Sequence, residues 1–300
     1  MSPHEPVLFD EVMIALMSVP GKTYVDATLG AGGHARGILE RCGPGARLLG
    51  LDLDPQALAL ARQLLANYQT QVVLVQGSFA RLGSIVREHC FVPADGILMD
   101  LGLSSMQLSD GKRGFSFQQD GPLDMRFDPL SAQTADDLVN NLGTEELAGI
   151  LYRFGEETMS RRIARAIVDT RPLHTTAELA AVVSRAVKYR GRIHPATKTF
   201  QALRIAVNDE LNVLQQGLEQ AVGSLSSGGR LAVITFHSLE DRIVKRFFLE
   251  RSRAGTDGRA PILSVVTRHP IRATRAEQER NPRSRSAKLR VATRLPAYTT

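Results

Sequence analysis

The stretch that decides the fold is "YVDATLGAGGHARGIL", which runs from Tyr24 to Leu39. An apolar run leads into a turn with glycines at Gly30, Gly32 and Gly33, and an amphipathic segment follows it. A glycine-rich turn between a strand and a helix presents backbone N–H groups to a ligand, or lets the backbone approach the ligand closely. The stretch therefore predicts a strand, a nucleotide-binding turn and a helix, in that order.

The neighbouring segments repeat this alternation of strand and helix. Apolar runs that predict strands lie at 23–29, 46–54, 71–77 and 95–102, with helical periodicity between them. Nearly continuous apolar strands that alternate with helices are typical of a parallel sheet covered on both faces. The first hundred residues therefore predict an α/β fold of the Rossmann-like kind.

The alternation stops after the fourth strand. Residues 103–130 are rich in Gly, Ser, Asp and Pro and predict a long loop, and most of the next eighty residues have helical periodicity. Strand patterns return at 228–236, 262–268 and 288–295. We therefore expect a discontinuous α/β domain over 1–130 and 208–300, interrupted by an all-helical insert over 131–207.

Composition excludes several protein classes. Two cysteines in 300 residues cannot build a disulfide framework or a paired-cysteine metal site, and the histidine spacing does not suggest zinc. The first residues lack the pattern of a signal peptide, and no apolar run approaches the roughly 18 residues of a membrane span. We therefore expect a cytoplasmic protein without a metal, a membrane anchor or an obligate protein partner.

The net charge of +6 is unevenly distributed. Residues 1–155 carry 11 basic and 18 acidic side chains, whereas residues 156–206 carry 10 basic and 4 acidic ones, and residues 242–300 carry 15 and 4. Lys and Arg displace counterions from phosphates, so this asymmetry favours a nucleic-acid partner over a merely solvated basic surface.

Acidic residues at strand ends indicate the ligand class. Asp52 ends the second strand at the distance where an acid meets ribose hydroxyls in dinucleotide-binding folds. Asp54 precedes Pro55, so we assign it the cap of the next helix. Phe79 could stack on an adenine or pack in the core, and Asp100 ends the fourth strand. Nicotinamide dinucleotides and S-adenosylmethionine (SAM) both fit this pattern.

Four long motifs carry a more specific resemblance. They are "VDATLGAGGHARGIL", "DGILMDLGLSSMQLSDGKRGFSFQQDGPLDMR", "HPATKTFQALRIAVNDEL" and "ITFHSLEDRIVKRFF", and the late "NPRSRSAKLRV" joins them. Together they resemble the bacterial MraW/RsmH family over nearly the whole chain. The resemblance implies a Rossmann-like SAM-dependent methyltransferase that modifies the N4 amine of a cytidine in the decoding region of 16S ribosomal RNA, within the small ribosomal subunit.

The resemblance also implies cofactor contacts, residue by residue. The matching positions, with Gly30 added from the glycine turn itself, are Gly32, Gly33, His34, Asp52, Phe79, Asp100 and Gln107. The family form resembles "SSPQL" where this chain has "SSMQL", so Met106 stands in place of proline beside the glutamine.

The predicted chemistry is methyl transfer to an amine. Asp100 is the nearest carboxylate that could accept an amine hydrogen bond, and a backbone carbonyl of "LGLSS" is the alternative acceptor. His237 follows the fifth strand at the same sheet edge. The chain has "DLGL" where many amino-methyltransferases carry an aromatic residue that stacks on the base. Phe115 or Phe117 could supply the stacking instead, or both could have an ordinary packing role. Methylation at cytosine C5 needs a cysteine nucleophile beside the fourth strand, and neither cysteine is there.

The basic insert supplies the predicted RNA contacts. They are Arg161, Arg162, Arg165, Arg185, Lys188, Arg190, Arg192, His194 and Lys198. Two other interpretations remain at this point. A nicotinamide-dependent oxidoreductase fits the glycine turn and Asp52, but it leaves the basic segments unexplained. A non-enzymatic RNA-binding factor fits the charge, but it leaves the glycine turn and acids without a purpose.

Overall fold

The structure is a computed structural model that describes residues 6–17, 19–187, 194–255 and 260–296. Its internal contacts divide the chain into two units. Unit 1 comprises residues 1–102 and 211–300, and unit 2 comprises residues 103–210.

Thirteen α-helices lie in the described residues. In chain order they are α1 Phe9–Ala15, α2 Gly33–Cys42, α3 Pro55–Leu64, α4 Leu82–Glu88, α5 Ser105–Ser109, α6 Ala135–Asn141, α7 Thr144–Gly155, α8 Ser160–Thr170, α9 Thr176–Ala186, α10 Thr197–Asn208, α11 Glu210–Ser224, α12 Ser238–Arg251 and α13 Arg275–Arg280. None of the helices in this described part of the chain combines the length and the apolarity that a bilayer crossing demands.

Unit 1 is built on one sheet whose seven described strands run in the order β3-β2-β1-β4-β5-β7-β6. The strands are β1 Thr23–Asp26, β2 Arg47–Asp52, β3 Val72–Gln76, β4 Ala94–Asp100, β5 Leu225–Thr235, β6 Leu263–Val265 and β7 Lys288–Arg294. The first five are parallel, whereas β7 pairs antiparallel with both β5 and β6. The predicted α/β fold is confirmed, and the antiparallel edge adds to the parallel sheet that the sequence predicted.

Both faces of the sheet are buried because apolar residues are continuous along the central strands. On β2, Leu48 contributes to one core cluster and Leu49 to the other, and both are fully buried. Helices α1, α2 and α3 cover the first face, and α4, α11 and α12 cover the second. This two-layer cover fixes the carboxyl ends of β2, β1 and β4 side by side, which positions the candidate site.

Unit 2 is helical around its own apolar core. Phe115, Leu123 and Met125 are buried in that core together with residues of α6 to α10, and the Leu123 amide donates to the carbonyl of His174 at 3.0 Å. The segment 103–130 therefore belongs with the helices. The predicted boundary between residues 130 and 131 is wrong for this reason, and the helical unit is larger than the predicted insert.

Candidate functional site

The glycine turn joins β1 to α2 at the carboxyl edge of the sheet. Gly30 has φ of 53° and Gly32 has φ of 87°, a region that most residues with a Cβ avoid. A Cβ on Gly30 would enter open space, whereas one on Gly33 would lie 2.6 Å from Cγ of Pro6. Gly32 is the N-cap residue of α2 and has no side chain with which to cap the first turn. The turn thus offers backbone N–H groups beside an open space.

Asp52 connects this turn to the end of β2 through hydrogen bonds. Its Oδ2 accepts from the Gly30 amide at 2.8 Å, and its Oδ1 accepts from the Asp54 amide at 2.9 Å. Burial raises the pKa of Asp52 to about 6, although these two hydrogen bonds oppose the shift. Asp54 accepts from the Gln56 amide at 2.9 Å as the N-cap of α3, so the cap predicted for Asp54 is confirmed.

Asp100 ends β4 and lies next to the buried imidazole of His34. Asp100 Oδ2 is 3.6 Å from His34 Nε2, and the Asp100 amide donates to Thr28 Oγ1 at 2.6 Å. The other carboxylate oxygen, Oδ1, is buried without a hydrogen-bond partner among the described residues, and so are both ring nitrogens of His34. The His34 ring stacks on Phe9 at 6.1 Å. Unpaired buried polar atoms are costly, so this arrangement is suited to a polar ligand.

Asp26 is a member of this cluster that the sequence analysis missed. It ends β1, between the strands that carry Asp52 and Asp100, and it is only 1% exposed. Burial raises the pKa of Asp26 to about 7, against the opposing effect of His34 and of the Thr28 amide. The sequence signal was available, because Asp26 follows an apolar strand as Asp52 and Asp100 do. Three carboxylates on adjacent strands favour a cationic ligand over an anionic one at this edge.

Phe79 begins the 3-10 turn after β3 and is half-buried against the second core cluster. A Cβ on Gly217 would lie 2.4 Å from the Phe79 ring, so the ring rests directly on the backbone of α11. This contact gives Phe79 the packing role that the sequence left open. It leaves the adenine-stacking role as a prediction.

Gln107 lies in unit 2, where it forms a capping box with Ser104 at the start of α5. The Gln107 side chain accepts from the Ser104 amide at 3.0 Å, and the Gln107 amide donates to Ser104 Oγ at 3.1 Å. The predicted cofactor contact of Gln107 stays a prediction.

His237 caps the start of α12. Its Nδ1 accepts from the Glu240 amide at 3.4 Å, and its Nε2 lies 3.1 Å from Glu240 Oε1. The Glu240 carboxylate in turn accepts from the amides of Phe236 and His237. The imidazole therefore has a structural role in the helix cap, and its catalytic role stays a prediction.

The two candidate stacking residues, Phe115 and Phe117, are both engaged in unit 2. Phe115 is buried and stacks on Phe127 at 5.5 Å, and Phe117 stacks on His194 at 4.5 Å and meets Phe200 edge-on at 5.0 Å. These contacts favour the ordinary packing role over a role in base stacking.

The predicted RNA-contact residues that the structure describes lie in unit 2, on three helices except for His194, which precedes α10. Arg161, Arg162 and Arg165 are exposed on α8, and Arg185 is exposed near the end of α9. His194 is exposed and accepts from the Ala196 amide, and the Lys198 ammonium donates to the Glu156 carbonyl at 2.9 Å. The other three, Lys188, Arg190 and Arg192, lie outside the described residues.

Comparison with known proteins places the chain in a family. The model of the MraW methylase family matches residues 1–295. The chain belongs to the MraW methylase family. It is 50% identical to ribosomal RNA small subunit methyltransferase H of Dehalococcoides mccartyi, a match that covers 98% of this chain and 87% of the relative. It is also 50% identical to the protein of that name from Thermomicrobium roseum, over 97% of this chain and 94% of the relative.

Among solved structures, the chain is similar to an rRNA methylase from Streptococcus thermophilus, with 11% sequence identity and a TM-score of 0.46. The match covers 97% of this chain and 98% of the methylase chain. Membership of the MraW methylase family makes the chain a methyltransferase that uses SAM. The oxidoreductase interpretation is thereby set aside, and so is the non-enzymatic one.

The carboxyl edge of unit 1 fits SAM by its chemistry. SAM carries a sulfonium and an ammonium group, and the edge presents three carboxylates, of which Asp100 has an unpaired buried oxygen. The open space beside Gly30 admits a ligand close to the backbone. A cationic ligand also supplies the charge that buried carboxylates need in order to ionise.

Proposed function

We propose that the protein transfers a methyl group from SAM to the N4 amine of a cytidine in 16S ribosomal RNA of the small ribosomal subunit. The relatives that share half of its sequence carry names that state the small-subunit RNA. The observation that carries the choice of atom is the unpaired Oδ1 of Asp100 at the end of β4. Because the proposed substrate is ribosomal RNA, we also propose the cytoplasm as the site of action.

An amine acceptor needs a hydrogen-bond acceptor at this position. The lone pair of the cytosine amine is delocalised into the ring, so the nitrogen is a poor nucleophile. A carboxylate that accepts an N–H hydrogen bond makes the nitrogen more pyramidal and its lone pair more available, and it can take the proton that the product must lose. Asp100 is the carboxylate that we assign to this step.

The transfer balances as a single displacement. SAM supplies an electrophilic methyl group on its sulfonium sulfur. The amine nitrogen forms a bond to the methyl carbon while the carbon–sulfur bond breaks, and the electron pair stays on sulfur. The protein contributes alignment of the two reactants, which is among the largest sources of rate in such reactions. We assign Asp52 and the turn at Gly30, Gly32 and Gly33 to cofactor binding for this purpose.

Cysteine placement argues against methylation at cytosine C5. That reaction needs a covalent nucleophile at the methyl-transfer edge. Cys42 is buried at the end of α2, and Cys90 follows α4 before β4 begins, so neither stands at the carboxyl edge of the parallel strands. The amine is the acceptor atom that remains consistent with this arrangement.

The basic face of unit 2, formed by Arg161, Arg162 and Arg165 on α8 and Arg185 on α9, is the proposed contact for the RNA backbone. Its exposed arginines on α8 suit bidentate contacts to phosphates. A base in folded RNA must leave its stack before its amine can reach a methyl donor, and backbone contacts hold the RNA during that step.

The experiment uses SAM labelled in its methyl group and small ribosomal subunits from cells that lack this enzyme. After incubation, the RNA is digested and the labelled nucleoside is identified. We expect label in N4-methylcytidine. Label in 5-methylcytidine or in any other nucleoside would contradict the proposal, and subunits that already carry the modification are the control that should take up no label.

A further inference from the structure

A second basic surface lies on unit 1, in the segment 268–285, which we call the arginine segment. It contains six arginines, no lysine and two glutamates. One glutamate, Glu277, is buried and accepts from the Leu8 amide at 2.8 Å, and the other, Glu279, pairs with Arg275 at 3.0 Å. The arginines therefore outnumber the acidic side chains of the segment by four.

The arginine segment is fixed to the body of unit 1. Ile271 and Leu289 exchange two backbone hydrogen bonds of 2.9 Å, and Ala273 and Ala287 are buried in the first core cluster. The hydroxyl of Ser284, which is 1% exposed, donates to the Asn281 carbonyl at 2.8 Å. A segment anchored in this way holds its charges in place, as a preorganised binding surface requires.

Strand register places one end of the arginine segment at the methyl-transfer edge. Lys288, the first residue of β7, pairs with Thr235 at the carboxyl end of β5, and Ile234 pairs in turn with Asp100. Arg283 lies in the turn that leads into β7 and is half-buried. Burial lowers the pKa of its guanidinium, and the field of the Asp100 carboxylate opposes that shift. Arg283 is therefore a cation within electrostatic reach of Asp100.

SAM carries two cationic groups, the sulfonium and the ammonium, and one anionic group, its carboxylate, and it has no phosphate. A like charge near the sulfonium and ammonium groups weakens their binding. The chemistry of Arg283 instead fits an anion, and its planar fork matches a phosphate in a bidentate way. The remaining arginines of the segment continue the same charge on the surface; the exposed ones are Arg268, Arg272, Arg275, Arg280 and Arg285.

We propose that the arginine segment is an RNA-binding surface of unit 1, in which Arg283 binds a backbone phosphate at or next to the target nucleotide. The proposal rests on the proposed function for its RNA substrate. It separates the tasks at the sheet edge, because Asp52 serves the cofactor, Asp100 serves the amine of the target base and Arg283 serves the phosphate of the substrate. Its ligand is the RNA phosphate, and the base is recognised elsewhere.

The test compares Arg283→Gln, Arg283→Lys and the control Arg62→Gln, which removes an exposed arginine from α3 of the same unit. Binding of protein-free 16S ribosomal RNA is measured by filter binding at several salt concentrations, and SAM binding is measured by calorimetry. We expect Arg283→Gln to weaken RNA binding about tenfold and to lower the salt slope by about one phosphate contact. We expect Arg283→Lys to keep most of the slope, and Arg62→Gln to change neither quantity.

The SAM measurement separates binding from a merely structural role. If Arg283 binds the RNA phosphate and not the carboxylate of SAM, Arg283→Gln should leave the SAM dissociation constant unchanged or lower it, because the lost charge has the sign of the sulfonium and ammonium groups. Weaker SAM binding with an unchanged salt slope would overturn the proposal. A double variant, Arg272→Gln with Arg285→Gln, changes two exposed side chains and gives a second test that does not depend on a buried residue. An unchanged salt slope of RNA binding in this variant would also count against the proposal.

The outcome is distinguishable from failure of the proposed function. If the wild-type protein does not methylate the small subunit but Arg283→Gln still lowers the salt slope, the surface is established and the proposed acceptor is wrong. If methylation occurs and the slope of both sets of variants equals that of the wild type, the acceptor stands and the arginine segment is not an RNA-binding surface.

Discussion

The carboxyl edge of unit 1 and the helices of unit 2 differ in whether their polar side chains have hydrogen-bond partners within the protein. At the edge, Asp100 and His34 keep buried polar atoms without partners among the described residues. In unit 2, Thr134 and Thr175 close capping boxes, and Arg126 binds Asp124 through two nitrogens at 2.9 and 2.7 Å. Thr199 Oγ1 is the buried exception there among the residues that the structure describes.

The difference teaches where a ligand is needed. An unpaired buried polar group costs about 1–3 kcal/mol, so a fold keeps such groups only where something else satisfies them. Unit 2 satisfies its own polar groups and presents charge outward. In the described part of unit 1, the unpaired buried atoms of His34, Asp100 and His237 lie at the carboxyl edge, and Arg230 Nε lies farther back along β5. Polar groups left unsatisfied by the protein at this edge are what a preorganised cofactor site requires.

The largest effect is expected at the glycine turn. Gly32→Val forces a β-branched residue to φ near 87° and brings its Cβ to 3.4 Å from Ala61. Strain of about 3 kcal/mol corresponds to a loss of SAM affinity of about 100-fold or more. Calorimetric titration with SAM checks this, with Gly223→Val as control because a Cβ on Gly223 meets nothing within 4 Å. Equal SAM affinity in both variants would remove the turn from the site.

The next effect concerns the chemical step. Asp100→Asn removes the carboxylate that we assign to the amine, and turnover on small ribosomal subunits should fall about 100-fold. The matched control is Asp95→Asn at the other end of the same strand, where the carboxylate binds Lys22 and the Thr23 amide. That variant should keep its turnover. Near-normal turnover of Asp100→Asn would assign the proton-accepting step to another group.

Asp26 gives a prediction for stability against pH. Its folded-state pKa of about 7 lies above the ordinary value of about 3.9, so the folded protein holds this proton more tightly than the unfolded chain. The associated stability is present below about pH 4 and is lost as pH rises through about 7. Asp26→Asn does not suffer this loss, so it should be about 2–4 kcal/mol more stable than the wild type at about pH 8.

Urea unfolding at about pH 8 and pH 4 measures the difference, which should shrink toward the lower pH. The control Asp169→Asn replaces an exposed acid and should follow the wild type at both pH values. A constant gap between Asp26→Asn and the wild type would show that Asp26 does not titrate in this range.

The smallest effect is expected from the basic face of unit 2. Reversal of Arg161, Arg162 and Arg165 to Glu should weaken binding of 16S ribosomal RNA and lower its salt slope, because fewer counterions are released. SAM affinity should be unchanged. Arg62→Glu on unit 1 controls for a general change of charge. An equal salt slope in the wild type and the triple variant would reject the RNA contact proposed for α8.

The sheet could be predicted from sequence because its strands are continuous apolar runs, and the cap at Asp54 because Pro55 follows it. The boundary of unit 2 could not, since Phe115, Leu123 and Met125 are scattered among Gly, Ser and Asp and show no periodicity. Asp26 was missed because the strand predicted over 23–29 placed it inside the strand, whereas β1 ends at Asp26. Arg283 could not be distinguished from the neighbouring arginines by sequence alone. Its position near the edge that holds Asp100 follows from the strand register.

The central claim is that the buried carboxylates of unit 1 serve a cationic cofactor. Calorimetric titration of the wild-type protein with SAM, in two buffers of different ionisation enthalpy, tests it most directly. Because burial raises the pKa of Asp26 to about 7 and of Asp52 to about 6, binding of a cation should release protons near pH 7, and affinity should rise with pH. SAM binding without proton release and without pH dependence would contradict the account.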